Sequence, residues 1–374
     1  MARIRAEVAA GLDPGAMLMV YADPGRRRAL HERVRRAAHA DLSEPEVESL
    51  AAELFGFGVL QPLLDDPTVT DVLVNAADEI FVERDGVLQR TDVRFEDGGL
   101  ITELAHRIAA GVGRELTLER PFVDARMRDG SRANAVIAPV GGPSISVRTF
   151  RRISLPLRGA APSWTSAGAV APAAAALLVD AVTARANILI VGATGAGKST
   201  LLRSLAAEIP PSERLVVIED TNELVLPHPH VVHLEAIAGS HSSVGIADLV
   251  ANALRMRPDR IIVGEVRTPR EASALLDALT TGHDGSLTTA HAGSARGAID
   301  RLELLLARSG ESAPDAIRRH VLSAFDLIVH VVRAGPSREI AEIVAIEDGA
   351  LRDLYEHPHG VVAALPAQLR RRMR

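Results

Sequence analysis

The chain has 374 residues, enough for two or three domains of ordinary size and a sizeable core. Hydrophobic residues at 47% and charged residues at 24% exclude a disordered or fibrous chain, and 42 basic against 48 acidic residues, a formal net charge of −6, exclude a global positive field for nucleic acid or anionic lipid. With no cysteine, disulfides, thiolate metal sites and cysteine nucleophiles are excluded as well, and of the 42 basic residues one alone, Lys198, is lysine.

Met1 to Gly15 carries Arg3, Arg5, Glu7 and Asp13 and holds no apolar run of secretory length. The most apolar stretch, Ala167 to Val191, is broken by Pro172, Asp180 and Arg185, so a cytoplasmic, soluble protein is expected. A helix is predicted over Pro24–Ala40, with six arginines between Arg26 and Arg36 spread around it as a solvated face, and a second over Glu44–Phe55. From Val69 the period becomes two. Strands are predicted at Val69–Val74, Glu79–Glu83 and Val87–Phe95, with Arg84-Asp85-Gly86 as a hairpin turn, then a helix from Leu100 to Val112. A second hairpin, Phe122–Met127 with Arg132–Ile137, and a strand Ser144–Phe150 complete an α+β N-terminal domain.

Residues 156–172 are rich in Pro, Gly, Ser and Ala and have the composition of a linker. The expected organisation is a helical segment over 1–56, the α+β domain over 57–155, the linker over 156–172 and a larger domain over 173–374. Beyond the linker, short apolar strands alternate with helices. Strands Asn187–Val191, Arg214–Glu219, Arg260–Gly264 and Ser286–His291 interleave with helices Lys198–Glu208, Gly245–Arg257 and Arg270–Thr280, the pattern of a parallel sheet covered on both faces. Helices Ala295–Arg308 and Asp315–Ala324 and strands Leu327–Arg333 and Ile340–Ile346 finish the domain.

Gly192-Ala193-Thr194-Gly195-Ala196-Gly197-Lys198-Ser199-Thr200 fits the phosphate-binding pattern G-x-x-x-x-G-K-[ST], between an apolar strand and a periodic helix. Glycines let consecutive amides turn inward around a polyphosphate; Lys198 is the candidate for the β- and γ-phosphates of ATP and the Ser199 hydroxyl for Mg²⁺. The chain's one lysine stands where arginine's planar fork does not suit the cradle. Glu265 ends the apolar strand Arg260–Gly264, and Glu219 ends Val216–Ile218, with Glu223 in reserve; these carboxylates are candidates for metal binding and for activating water. His283 and His291 flank a strand and are candidates for sensing the γ-phosphate. His228, His230 and His233, spaced over prolines, fit a loop-to-strand connection better than a zinc set.

In this order, the blocks Gly192–Thr200, Ile218–Glu223, Leu254–Arg267 and Thr281–His291 resemble the Walker A, aspartate box, Walker B and histidine box of the secretion ATPase superfamily that drives type II and type IV secretion and type IV pili. The wording Asn252–Asp259 and Gly282–Ser286 resembles the tight-adherence (Tad/Flp) branch, often named as conjugal-transfer ATPases, and Phe55–Leu60 and Val69–Asn75 extend the likeness into the N-terminal half. The four-cysteine zinc module of some pilus-extension and type II relatives is absent.

The resemblance implies an α/β fold, a RecA-like P-loop NTPase domain with a smaller α+β N-terminal domain. It also implies a homohexamer that hydrolyses ATP with Mg²⁺ at the inner face of the cytoplasmic membrane, against an integral platform protein and without stable nucleic-acid binding. Carried over by residue, Glu219 is the water-activating carboxylate, Glu265 the carboxylate near Mg²⁺, Arg255 and Arg267 the Walker B arginines, and Arg132 and Arg148 the N-terminal-domain contacts to phosphate. A DNA-translocating RecA-like protein is the alternative reading, with the arginines of 370–374 as its main support.

Overall fold

The computed structural model describes the chain apart from residues 1–3, 5, 6, 9, 11, 39, 40, 85, 150–154, 160, 161, 222, 223, 227, 238–242, 309–312, 336, 359, 362 and 374. Two compact units result, residues 1–151 and 152–374. Among the described residues no helix is long and apolar enough to cross a membrane.

In the first unit, strands β1 (Val69–Ala76), β2 (Glu79–Arg84), β3 (Val87–Arg90), β4 (Phe122–Arg126), β5 (Arg132–Val136) and β6 (Ser144–Arg148) form one sheet in the order β3-β2-β1-β6-β5-β4, every neighbouring pair antiparallel. Alternation turns Val72, Val74, Ile80, Val82, Ala133, Ala135, Ile145 and Val147 to a common face. Helix Gly98–Gly111 packs into the same core through Ile101, Leu104 and Ile108, each such side chain contributing about 1.5–3 kcal/mol on burial. Asp97 caps that helix by accepting from the amides of Gly99 and Leu100.

Leu18 and Met19 of helix Pro14–Tyr21 belong to this core too. The expected helical segment over 1–56 also gathers a core cluster of its own around Val34, Leu50 and Phe55, and falls in the same compact unit as the α+β core. Strand β3 stops at Arg90 rather than Phe95, and Asp85 of the expected turn and Phe150 of the expected strand lie outside the described residues.

The second unit is built on nine strands: β7 (Ile188–Val191), β8 (Leu215–Glu219), β9 (Val231–Glu235), β10 (Arg260–Val263), β11 (Leu287–Ala290), β12 (Leu327–Ala334), β13 (Ser337–Glu347), β14 (Ala350–Glu356) and β15 (Gly360–Val361), ordered β15-β14-β13-β12-β7-β11-β10-β8-β9. The six from β12 to β9 run parallel, and β13 to β15 extend the sheet antiparallel beyond β12. Every residue of β7, β8, β10 and β11 is buried, as strands covered on both faces require. Helices Pro172–Thr183 and Lys198–Ala206 supply one core, and Ile246–Ala253, Pro269–Thr280, Ala295–Ala307 and Pro314–Ala324 the other. The second of the sequence-predicted helices in this domain, expected over Gly245–Arg257, ends at Ala253, and Arg257 takes a left-handed φ of 53° just before Pro258, where a helix cannot continue.

Residues 156–172, expected to be a linker, are part of the second unit's core: Leu157, Trp164 and Val170 are buried in it. Ser163, fully buried, satisfies its hydroxyl within its own turn, on the Gly159 carbonyl and Ser166. Small and turn-forming residues mislead here, since three anchors suffice to pin the segment. At the amino ends of the parallel strands, the fully buried Arg260 grips Glu213 with two nitrogens, at 2.9 and 2.8 Å, and Arg185 adds a third contact at 2.6 Å.

Candidate phosphate-binding site

The site lies where β7 ends and helix Lys198–Ala206 begins. The loop between them, Gly192–Gly197, aims the helix's first, unpaired amides at whatever occupies it, a geometry suited to an anion. Two glycines are required by contact. A Cβ on Gly192 would stand 2.3 Å from the Val331 carbonyl oxygen, and one on Gly197, whose φ is +102°, would stand 2.9 Å from Arg338 Cδ. Ala193, Thr194 and Gly195 are exposed, Ala196 is buried, and Ser199 and Thr200 open the helix, with Ser199 exposed.

Lys198 is buried and donates to the carbonyls of Gly192 and Ala193, both at 3.0 Å, with His291 Nδ1 at 3.3 Å. Burial pushes its ammonium below the ordinary lysine value, against the attraction of Glu265. His291 in turn sets Nε2 2.8 Å from Glu265 Oε1, Glu265 pairs with Arg267, and Arg267 reaches Asp220 at 2.9 Å. Arg267 loses water on partial burial, but its hydrogen bond and ion pair with Glu265 outweigh that and hold it above its ordinary value. Lys198, His291, Glu265, Arg267 and Asp220 thus form one polar chain across the carboxyl ends of β7, β11, β10 and β8.

Glu219, the last residue of β8, is buried beside Asp220. Its Cγ lies 3.0 Å from where a Cβ on Gly264 would stand, and both its oxygens face the Leu224 amide, at 3.0 and 3.1 Å.

Other expected residues are not gathered here. Arg255, just past helix Ile246–Ala253, is exposed and donates back to the Ala251 carbonyl in its last turn. His283 precedes β11 and approaches the Ala278 carbonyl, while His291 follows β11, so a strand's length separates the two and His291 alone of the expected pair lies near the glycine loop. Glu223 lies outside the described residues. His228 meets the Pro210 carbonyl and His230 meets Arg214, and among the described residues no group of three or more His, Asp or Glu is placed to hold a metal.

In the first unit, Arg132 on β5 is in register with Arg148 on β6, and Arg148 donates to Asp71 on β1 at 3.1 Å. Arg126 on β4 faces Arg132 across the hairpin and was not singled out from the sequence. Its signal was the hairpin register itself. Like charges directly opposite disfavour a sheet.

A glycine loop at a strand-to-helix junction on a parallel sheet, with carboxylates at neighbouring strand ends, defines a RecA-like P-loop fold. The solved structure of the ATPase DotB from Legionella pneumophila shares it, with a TM-score of 0.56 at 23% identity over 77% of this chain and 80% of that one. The family model for type II/IV secretion system proteins matches residues 53–372, so the chain belongs to that family. Among its relatives are a putative conjugal transfer protein of Mycobacterium tuberculosis, 41% identical over 310 residues (79% of this chain, 86% of that one), and the type IV secretion system protein VirB11 of Brucella suis, 33% identical over 332 residues (80% and 92%).

Proposed function

We propose that the protein is an ATP-hydrolysing motor of a type II/IV secretion or Tad/Flp-type pilus system. In this reading it works as a homohexameric ring at the cytoplasmic face of the membrane, acting on an integral inner-membrane platform protein. The observation that carries the reading is the polar chain from Lys198 to Asp220 at the mouth of the glycine loop. A cation, an imidazole and a carboxylate gathered beside the glycine loop support binding of a nucleotide's terminal phosphates there.

The Lys198 ammonium rests on two loop carbonyls, neutral acceptors that a polyphosphate outcompetes. When ATP enters, Lys198 turns to its β- and γ-phosphates and the contact with His291 is released. His291 then remains on Glu265 and senses whether the γ-phosphate is present. The donors nearby are oxygens, the exposed Ser199 hydroxyl and the Glu265 carboxylate, a set that suits Mg²⁺. Ser199 would hold it directly and Glu265 through water, and it would neutralise phosphate charge. Glu219 takes the proton of the attacking water, freed from the Leu224 amide or sharing it. Arg132 and Arg148, adjacent in register on β5 and β6, are the first unit's candidates for phosphate contact.

The experiment is phosphate release from ATP by the purified protein. Turnover is expected in the wild type and its loss in Lys198→Ala with an unchanged unfolding temperature; equal phosphate release by both proteins overturns the reading. The name of the mycobacterial relative favours DNA transfer as a second setting for the same motor. Salt-sensitive stimulation of turnover by DNA would support that setting.

A further inference from the structure

Near the start of the second unit, Leu155 meets the phosphate-loop helix. Ser204, on that helix, has its hydroxyl against the carbonyls of Leu155 and Thr200, the latter at 2.8 Å, and a hydroxyl has one proton to share between them. The same oxygen accepts from the Trp164 indole N–H at 2.9 Å, in a buried bond. Trp164 also fastens its own segment: its amide donates to the Pro156 carbonyl and its carbonyl accepts from Ala169, whose carbonyl takes the amide of Ile340 on β13. Leu155, Trp164, Ser204 and β13 are therefore tied at one point.

That point touches the loop. Trp164 Cη2 lies 3.6 Å from where a Cβ on Gly197 would stand, beside the Arg338 stem at 2.9 Å, so an indole and a guanidinium stem together close one face of Gly197. Gly197 is the residue before Lys198 and the first cap of the helix. The buried indole thus spends its N–H on the phosphate-loop helix and sets its ring edge beside the last glycine of the loop.

We propose that Trp164 is a positioning residue for the phosphate loop: it holds Gly197 and the first turn of the helix in the phosphate-binding orientation and carries loop occupancy to residues 155–157, where the chain arrives from the first unit. This rests on the reading of the loop as a nucleotide site. When phosphates draw in the amides of the first turn, Ser204 moves with its helix, and the indole and the Leu155 carbonyl move with Ser204.

The chain has a single tryptophan, so its own emission is the probe. Wild-type protein titrated with ATP or ADP is expected to shift or quench that emission along the same curve as binding measured by equilibrium dialysis. Trp164→Phe keeps a ring in the core and removes the N–H; Ser204→Ala removes its acceptor. Each is expected to raise KM for ATP by about 2- to 10-fold with kcat within about twofold, the fold-change of one lost buried hydrogen bond felt equally in ground and transition states. The double variant is expected to match the larger single effect, since both remove one link.

A lower unfolding temperature with unchanged KM in both variants would make Trp164 a core residue and overturn the proposal. So would silent emission while dialysis shows saturated ATP. Absence of ATP binding by the wild type in dialysis overturns the nucleotide reading itself, which keeps the two failures apart.

Discussion

The two ends of the central parallel sheet solve opposite problems with the same residue types. At the amino ends of the strands, Arg260 is fully buried and Glu213 meets it through two bonds and Arg185 through a third. Burial alone pushes the Glu213 carboxyl up, but the hydrogen bonds and charge of Arg260, and the charge of Arg185, outweigh it and hold the group below the usual glutamate value. At the carboxyl ends, Lys198 rests on backbone carbonyls and three further members of its chain, His291, Arg267 and Asp220, are about half exposed. A closed, desolvated cluster fixes the sheet; an open chain of exchangeable partners leaves room for a substrate to replace one of them.

That contrast is broken most strongly on the functional side. Glu219→Gln is expected to lower kcat by about 10²- to 10⁴-fold while ATP still binds, the effect of removing a general base. Single-turnover hydrolysis beside a binding isotherm checks it, and near-normal turnover would pass the role to Glu265. Next in size, Glu213→Ala leaves Arg260 buried without its partner and is expected to destabilise the second unit by about 3–5 kcal/mol in chemical denaturation. ATP affinity of the folded fraction should stay unchanged, because nothing at the loop is touched.

His291→Ala removes the bridge between Lys198 and Glu265 and is expected to lower kcat by about 10- to 100-fold through lost charged hydrogen bonds. The smallest effect is on acid stability. Glu342 accepts from the Ala295 amide at 2.6 Å and pairs with His330, and the hydrogen bond with His330 leads the causes that hold its carboxyl below the ordinary 4.5. A depressed carboxyl stabilises the fold above its unfolded value and loses that contribution as pH falls through its folded value. The unfolding temperature of the wild type should therefore decline below pH 4.5 more steeply than that of Glu342→Gln.

What the sequence revealed follows the same division. The glycine loop was legible because its chemistry lies in nine consecutive residues, Gly192–Thr200, and the strand and helix beside it are strongly apolar or periodic. Glu265 and His291 were legible as strand-end residues of parallel strands, but their joining to Lys198 depends on β11 lying between β7 and β10, which no local pattern states. Strand β9 was hidden because an edge strand, half exposed and preceded by prolines and histidines, needs no continuous apolar run. Trp164 was hidden by its neighbours: Pro, Gly and Ser around it carry linker composition, and one indole with a partner 40 residues away reverses their meaning.

The account stands on the loop being a polyphosphate cradle. Equilibrium binding of ATP, ADP and AMP to the wild type and to Lys198→Ala tests this directly. Tight ATP and ADP, AMP weaker by about 100-fold or more for want of a β-phosphate on Lys198, and loss of the distinction in the variant are the predicted result. AMP binding as tightly as ATP, or ATP binding undiminished in Lys198→Ala, would contradict it.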